Sequence, residues 1–369
     1  MKESQEILLS LVRNALWGTP CGFSSKPDWD KVIYLARQQT VMGLVAQAIP
    51  NLSVEFQPDA TQNFKLHSTV TKIYQSHSLL NRKIAQVKRL MDDHMIHSVL
   101  FKGQGVALNY PVPMSRQCGD IDLYVGEKNF LQAMDLLEPG VEHNVNDYKE
   151  LKHFSVDSEG VHVELHRIAE ILPGKKADGL FQEWTVDELT GPYVRTVQFD
   201  GCDVNLPPVN FDVLYIMNHA WHHFINGGIG LRQLCDWSLY LHRFHDQVDV
   251  EKLRFNLERF GLERAWKVMS SVCVRYLGLS ADECPLYTDG YESEAARVLE
   301  FIFNEGNFGK YSSSRNSKRP EGHFAGKFHS FMLTNRRIVR LLEVSPREVF
   351  HSWIWYFMRG MKNVNKRVK

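Results

Sequence analysis

Asp120 and Asp122 form an Asp-x-Asp pair within residues 100–125, LFKGQGVALNYPVPMSRQCGDIDLYV. Side chains of an extended strand alternate between faces, so both carboxylates aim one way while Ile121, Leu123 and Val125 aim into a core. Carboxylates so close repel each other, and a divalent cation is the usual compensation; the plain alternative is a strand end carrying two solvated aspartates. A third acid stands in 161–166, where Val163 and Leu165 share one face and His162, Glu164 and His166 the other. Upstream, 97–101 reads as a buried strand leading into the turn Lys102-Gly103-Gln104-Gly105. Glycines at a strand-to-helix turn let backbone N–H groups approach a phosphate.

Lys102-Gly103, the R-x-x-G-D-I-D-L run of 116–123 and the V-E-L-H of 163–166 together resemble the uncharacterised nucleotidyltransferase family of the DNA polymerase beta-like superfamily. The resemblance implies an α+β fold: a small mixed β-sheet nucleotidyltransferase core flanked by N-terminal helices and a C-terminal helical domain. It implies Asp120, Asp122 and Glu164 as ligands of Mg²⁺ (or Mn²⁺), with Glu164 open to a second role as general base, and Gly103 facing a triphosphate. The superfamily's turn is Gly-Gly or Gly-Ser. Here it is Gly103-Gln104, without the serine hydroxyl, so Lys102 or backbone amides would take over that contact. The family's helical part carries paired histidines and a later L-R-x-L-x-D, matched by His219, His223, Arg232 and Asp236. By resemblance these line the cleft opposite the acids, Arg232 forking onto phosphate and Asp236 orienting it. The plain reading is an intrahelical Arg232–Asp236 pair on a wet face.

These residues need a frame. Residues 28–49 read as one helix ending at Pro50. Leu66, Val70, Ile73, His77, Leu80, Ile84, Val87 and Met91 step by threes and fours along a long helix expected to lie on the sheet, with His77 a tolerated core histidine. Strands are expected near 97–101, 120–125, 151–157 and 160–166, the last two a hairpin turning at 157–160. A helix over 127–137 stops at Pro139-Gly140, and 193–199 with 202–206 form a further hairpin around Asp200-Gly201. The expected division is an N-terminal helical segment (1–95) packing on the core, the catalytic core (96–207) and a helical domain (208–369).

Other chemistry is weakly supported. His219 and His223 share a helix face in zinc-ligand spacing, but no glutamate follows His219 and no third ligand is in view. Residues 310–320, with four basic residues, four serines and no acid, read as a mobile loop or a phosphate-contacting one. Ser345, Pro346 and Glu348 open a final helix whose aromatics precede a basic tail; it is expected to pack on the body rather than on a membrane. Cys118 lies closest to the proposed cleft and reads as a small buried thiol.

Composition bounds the partners. With 43 basic and 43 acidic residues the formal charge is zero, which offers no global attraction to nucleic acid or anionic lipid. The six cysteines follow no C-x-x-C spacing and read as reduced thiols, and no secretory signal or membrane span is visible, so the cytoplasm is the expected location. The expected reaction moves a nucleoside monophosphate from a nucleoside triphosphate, ATP first, to a hydroxyl of an unidentified small molecule, sugar, peptide or protein. Lys102, Arg116 and Arg232 would neutralise the phosphates, and His166 would orient a carboxylate or touch the acceptor. The alternative keeps the fold without turnover, as a nucleotide-binding regulatory or antitoxin-like protein.

Overall fold

A computed structural model describes residues 1–141, 151–312, 323–346, 348–351 and 353–354. Most of the basic 310–320 stretch and the end of the final helix lie outside the described residues.

Three short helices come first: α1 (Glu3–Trp17), α2 (Trp29–Gln38) and α3 (Met42–Ala48). The single helix predicted over 28–49 is therefore broken, and the cause is tertiary. Thr40 takes φ 56°, and Gln39, fully buried, turns outward from α2. Its amide donates to the Ile302 carbonyl at 3.0 Å while its side-chain oxygen accepts from Leu231 N–H at 3.1 Å. Its backbone carbonyl accepts from Arg232 N–H at 3.3 Å. Gln39 thus caps a helix far along the chain and leaves its own unfinished. The approach is so close that a Cβ on Gly230 would fall 2.8 Å from the Gln39 carbonyl.

The long periodic stripe is α4 (Ala60–Asp93), begun by a reciprocal Asp59–Gln62 capping box. Then follow β1 (Val99–Phe101), α5 (Gly103–Ala107), β2 (Asp120–Tyr124), α6 (Gly126–Leu137), β3 (His153–Ser158), β4 (Val161–His166), α7 (Lys175–Thr190), β5 (Arg195–Phe199) and β6 (Cys202–Leu206). Helices α8 (Val209–Asn226), α9 (Leu231–Phe244), α10 (Val250–Phe260), α11 (Glu263–Leu277), α12 (Glu292–Glu305) and α13 (His323–Leu341) complete the described order. The strands form a mixed sheet in the order β1-β2-β4-β3, with β2 and β4 parallel and the other pairs antiparallel; β5 and β6 make a separate hairpin. This is an α+β fold with helical flanks on both sides of the sheet in sequence. Asp200 and Gly201, both at positive φ, close the second hairpin.

Alternation sends Leu100, Ile121, Leu123, Val163 and Leu165 to one face of the sheet, where they meet Leu80, Ile84, Val87 and Met91 of α4 and Phe130 and Met134 of α6. Phe101 and Tyr124, on the other face, join a second apolar cluster that runs through α8, α9, α11 and α12 and also takes in α1–α3. Phe101 packs on Tyr215 of α8 at 4.7 Å between ring centroids. Helix α8 therefore lies over the sheet face that carries the acids. All six cysteines are free thiols, and no helix among the described residues is long and apolar enough to cross a membrane.

Candidate functional site

A cleft of about 240 Å³ opens between the acid-bearing face of the sheet and α8 and α9. Its floor is built by strand register. Asp122 lies opposite Glu164 across the parallel β2–β4 pair, and Asp120 is two residues up the same face. Hydrophobic neighbours pin this register, since a one-residue slip would drive Ile121, Leu123, Val163 and Leu165 into the cleft. The three acids therefore meet on adjoining strands.

Their protonation is pulled apart. Burial pushes Asp120 up, reinforced by Asp122 and Glu164 and opposed by Lys102 and Arg232. Burial also acts to raise Asp122, but Lys102 and a hydrogen bond from His166 outweigh it and hold the carboxylate well below its ordinary range. Lys102 Nζ is 3.3 Å from Asp122 Oδ1, and His166 Nε2 donates to the same oxygen at 2.8 Å. Glu164 is lowered, first by His166. One acid thus resists ionisation beside two that favour it.

Lys102 is placed by backbone shape. It sits at φ 46° directly after β1, and Gly103 follows at φ 39°, a conformation that L side chains disfavour. This sharp exit points the amine at Asp122 on one side and at His219 Nε2, 3.2 Å away, on the other. His219 Nδ1 in turn donates to Glu170 Oε2 at 3.3 Å, and Glu170 accepts from Lys152 Nζ at 2.7 Å. Burial, then Lys102 and His223, keep His219 well below its usual pKa; burial brings His223 down to about 4. Both rings are thus neutral near pH 7, consistent with Nε2 of His219 accepting from the lysine. Glu170, buried, ties the loop after β4 to α8. No motif marks it, nor Lys152, which also lines the cleft.

Most of the predicted residues come together. Lys102, Gly103, Arg116, Asp120, Asp122, Glu164, His166, His219, His223, Arg232 and Asp236 all line the cleft. Gln104 is the exception: its amide is buried and donates to His77 Nδ1 at 3.0 Å and to Asn81, fastening α5 to α4 rather than facing the cleft. His77 is the core histidine predicted, donating from Nε2 to the Arg116 carbonyl at 2.7 Å. The Arg232–Asp236 arrangement differs as well. Asp236 gives both oxygens to Arg116, at 2.7 Å each, and also accepts from Tyr110 at 2.6 Å. Arg232 instead donates to the Gln117 carbonyl and adds positive charge near Asp120. The separation of 120 positions from Arg116 to Asp236 hid this pair from local patterns.

His153 was missed by motif reasoning, and Phe308 of the 307–309 turn, also in the cleft lining and at φ 54°, gives no sequence signal. His153 had one. The two-residue turn at Glu159-Gly160 fixes the β3–β4 register and so sets His153 opposite His166.

A family model described as "Uncharacterised nucleotidyltransferase" matches residues 25–278, a span that contains every predicted site residue. Among solved structures, an antigenic nucleotidyltransferase-like protein from Paracoccidioides brasiliensis is 14% identical, with a TM-score of 0.27 over 52% of this chain and 91% of its own. No curated protein matches the chain.

Proposed function

The chain belongs to the uncharacterised nucleotidyltransferase family, and from that premise we propose that it transfers a nucleoside monophosphate from a nucleoside triphosphate to a hydroxyl group of an acceptor. The observation that carries this reading is the register of β2 and β4, which sets Asp122 against Glu164 with Asp120 on the same face, under the charges of Lys102 and Arg232.

Asp120, Asp122 and Glu164 would hold Mg²⁺ or Mn²⁺; an ion there neutralises phosphate charge and acidifies the acceptor hydroxyl. The protein's own groups do the rest. Lys102 and Arg232 bind and orient the phosphates, with the neutral imidazoles of His219 and His223 as hydrogen-bonding walls. Arg116 keeps its charge on the same wall but is already forked onto Asp236, so it contributes field rather than a free pair of donors. Glu164 either ligates the ion or takes the acceptor proton. The cleft is smaller than the roughly 300–1,000 Å³ of pockets that enclose whole drug-sized ligands. It accordingly houses the phosphates, while the nucleoside and the acceptor extend beyond it.

The test is pyrophosphate release from ATP with Mg²⁺ across small-molecule, sugar, peptide and protein acceptors. Turnover by the native chain, lost in Asp122→Asn with the fold retained by circular dichroism, is the expected result. Full activity in that variant would remove the assignment. The Gly103-Gln104 turn, which offers no side-chain hydroxyl to the cleft, favours one second reading: a nucleotide-binding protein without turnover. Calorimetric binding of ATP without pyrophosphate release under any acceptor would select it.

A further inference from the structure

The strongest unassigned feature is the open edge of the acid floor, on β3 and β4. Antiparallel pairing puts His153 opposite His166 and Ser155 opposite Glu164. His166 Nε2 lies 3.6 Å from Glu164 Oε2, and His153 Nε2 lies 3.9 Å from the same oxygen. One ligand atom from each of His153, Glu164 and His166 falls within 4.8 Å of the others. Donor atoms bound at about 2.1 Å to a single ion stand roughly 3.0–3.4 Å apart, so the two glutamate–histidine distances close by less than about an ångström and the widest separation in the set by at most about 1.8 Å.

We infer that His153, Glu164 and His166, with Asp122 beside them, form a nitrogen-containing cation site that takes a transition ion such as Zn²⁺, Co²⁺ or Mn²⁺ in preference to Mg²⁺. The inference rests on the Proposed function's reading of the cleft as a divalent-cation site and adds to it an ion position whose chemistry differs from that of the aspartate pair. Imidazole nitrogen is a borderline donor suited to first-row transition ions, whereas Mg²⁺ keeps oxygen ligands and water. Asp122 Oδ1, 2.8 Å from His166 Nε2, flanks this set from the side of the aspartate pair, so Glu164 is the ligand the two positions share.

Burial and exposure are arranged as such a site requires. His166 is 1% exposed and held among Phe101 and the sheet, which fixes its ring, while the His153 side chain is 38% exposed and leaves an access route from solvent. Without an ion, His166 donates its Nε2 proton to Asp122. An ion on Nε2 displaces that proton, and Nδ1 of the same ring, buried and without a hydrogen-bond partner among the described residues, takes it up. His153 Nδ1 is likewise unpartnered. Each ring therefore faces the acids through Nε2 alone.

The test uses the full chain, stripped of metal and titrated with Co²⁺ while visible absorption is recorded. Expected are ligand-field bands distinct from those of the aquo ion, saturation at one Co²⁺ per chain at this position, displacement by Zn²⁺ and persistence in millimolar Mg²⁺. His153→Ala and His153→Gln, at a partly exposed position, should weaken Co²⁺ binding by about 10–100-fold with an unchanged circular dichroism spectrum. Co²⁺ binding equal in the native and both variant chains, or an all-oxygen spectrum, overturns the site. A parallel pyrophosphate assay with ATP and Mg²⁺ separates the two claims. Co²⁺ held through His153 without turnover leaves the ion site standing and removes the transferase reading; turnover with Co²⁺ binding indifferent to His153 does the reverse.

Discussion

Two groups of charged side chains line one cleft. Around Arg116, every strong valence is matched: two parallel hydrogen bonds join the guanidinium to Asp236, Tyr110 donates to the same carboxylate, and the ions are nearly as buried as any in the molecule. Around Asp122 the valences are mismatched: three carboxylates crowd one face of two adjoining strands, with Lys102 and Arg232 as the fixed cations near them and His166 and His153 against Glu164. The first group is complete without a ligand and holds β2's approach to α9. The second carries more negative charge than its neighbours cancel, which burial magnifies. The contrast teaches that burial alone does not tell the two groups apart; the completeness of their partners does.

Four experiments press on this contrast. The largest effect is expected from Asp120→Asn, which removes the acid whose ionisation the fold opposes. Turnover in the pyrophosphate assay should fall by about 1000-fold or more, while the melting temperature stays level or rises, because repulsion is relieved. A large drop in melting temperature would place Asp120 with the structural pairs. Asp236→Ala acts on the other group and should cost about 3–5 kcal/mol in denaturant unfolding, since it strands a buried guanidinium. A loss under about 1 kcal/mol would break the comparison.

The third effect is on pH. His77, His153, His219, His222 and His223 are all lowered, first by burial. With His223 brought from 6.5 to about 4, the unfolded chain binds the proton across that window and the folded chain does not. Stability is therefore full above about pH 6.5 and drains as pH falls toward 4; His223 alone accounts for roughly 1–2 kcal/mol by pH 5. His223→Asn should flatten the slope of unfolding free energy against pH by that amount. An unchanged slope would mean that His223 is solvated. The smallest effect is expected from Gln104→Ala, about 1 kcal/mol of stability from its hydrogen bonds to His77 and Asn81, with ATP affinity unaltered in calorimetry.

What could be read beforehand follows the range of the forces involved. The 3.6 and 2.0 periodicities belong to single elements, so α4, the two hairpins and the alternation of β2 and β4 were visible in the residues. The pairing of β2 with β4, which sets Asp122 opposite Glu164, was expected only through the resemblance, since no pattern within either strand names its neighbour. Partners chosen across the fold were not visible. Asp236 selects Arg116 over the nearer Arg232 because the chain brings a buried, bidentate geometry there, and Gln104 turns inward to His77 because α4 runs behind it. The break after Gln38 belongs to the same class: helix propensity favours continuity over 28–49, and bonds to Ile302 and Leu231 override it.

That break carries a consequence for how the cleft is held. The Gln39 side chain joins a carbonyl near the end of α12 to Leu231 N–H at the start of α9, the helix that bears Arg232 and Asp236, and the Gln39 backbone carbonyl accepts from Arg232 N–H. The basic wall is thereby suspended from a residue that precedes every strand of the sheet. Excising the sheet as a minimal fragment would keep the acids and drop their counterweight, and shortening Gln39 to alanine would cut the side-chain ties to α12 and to Leu231 while leaving the backbone bond to Arg232 in place.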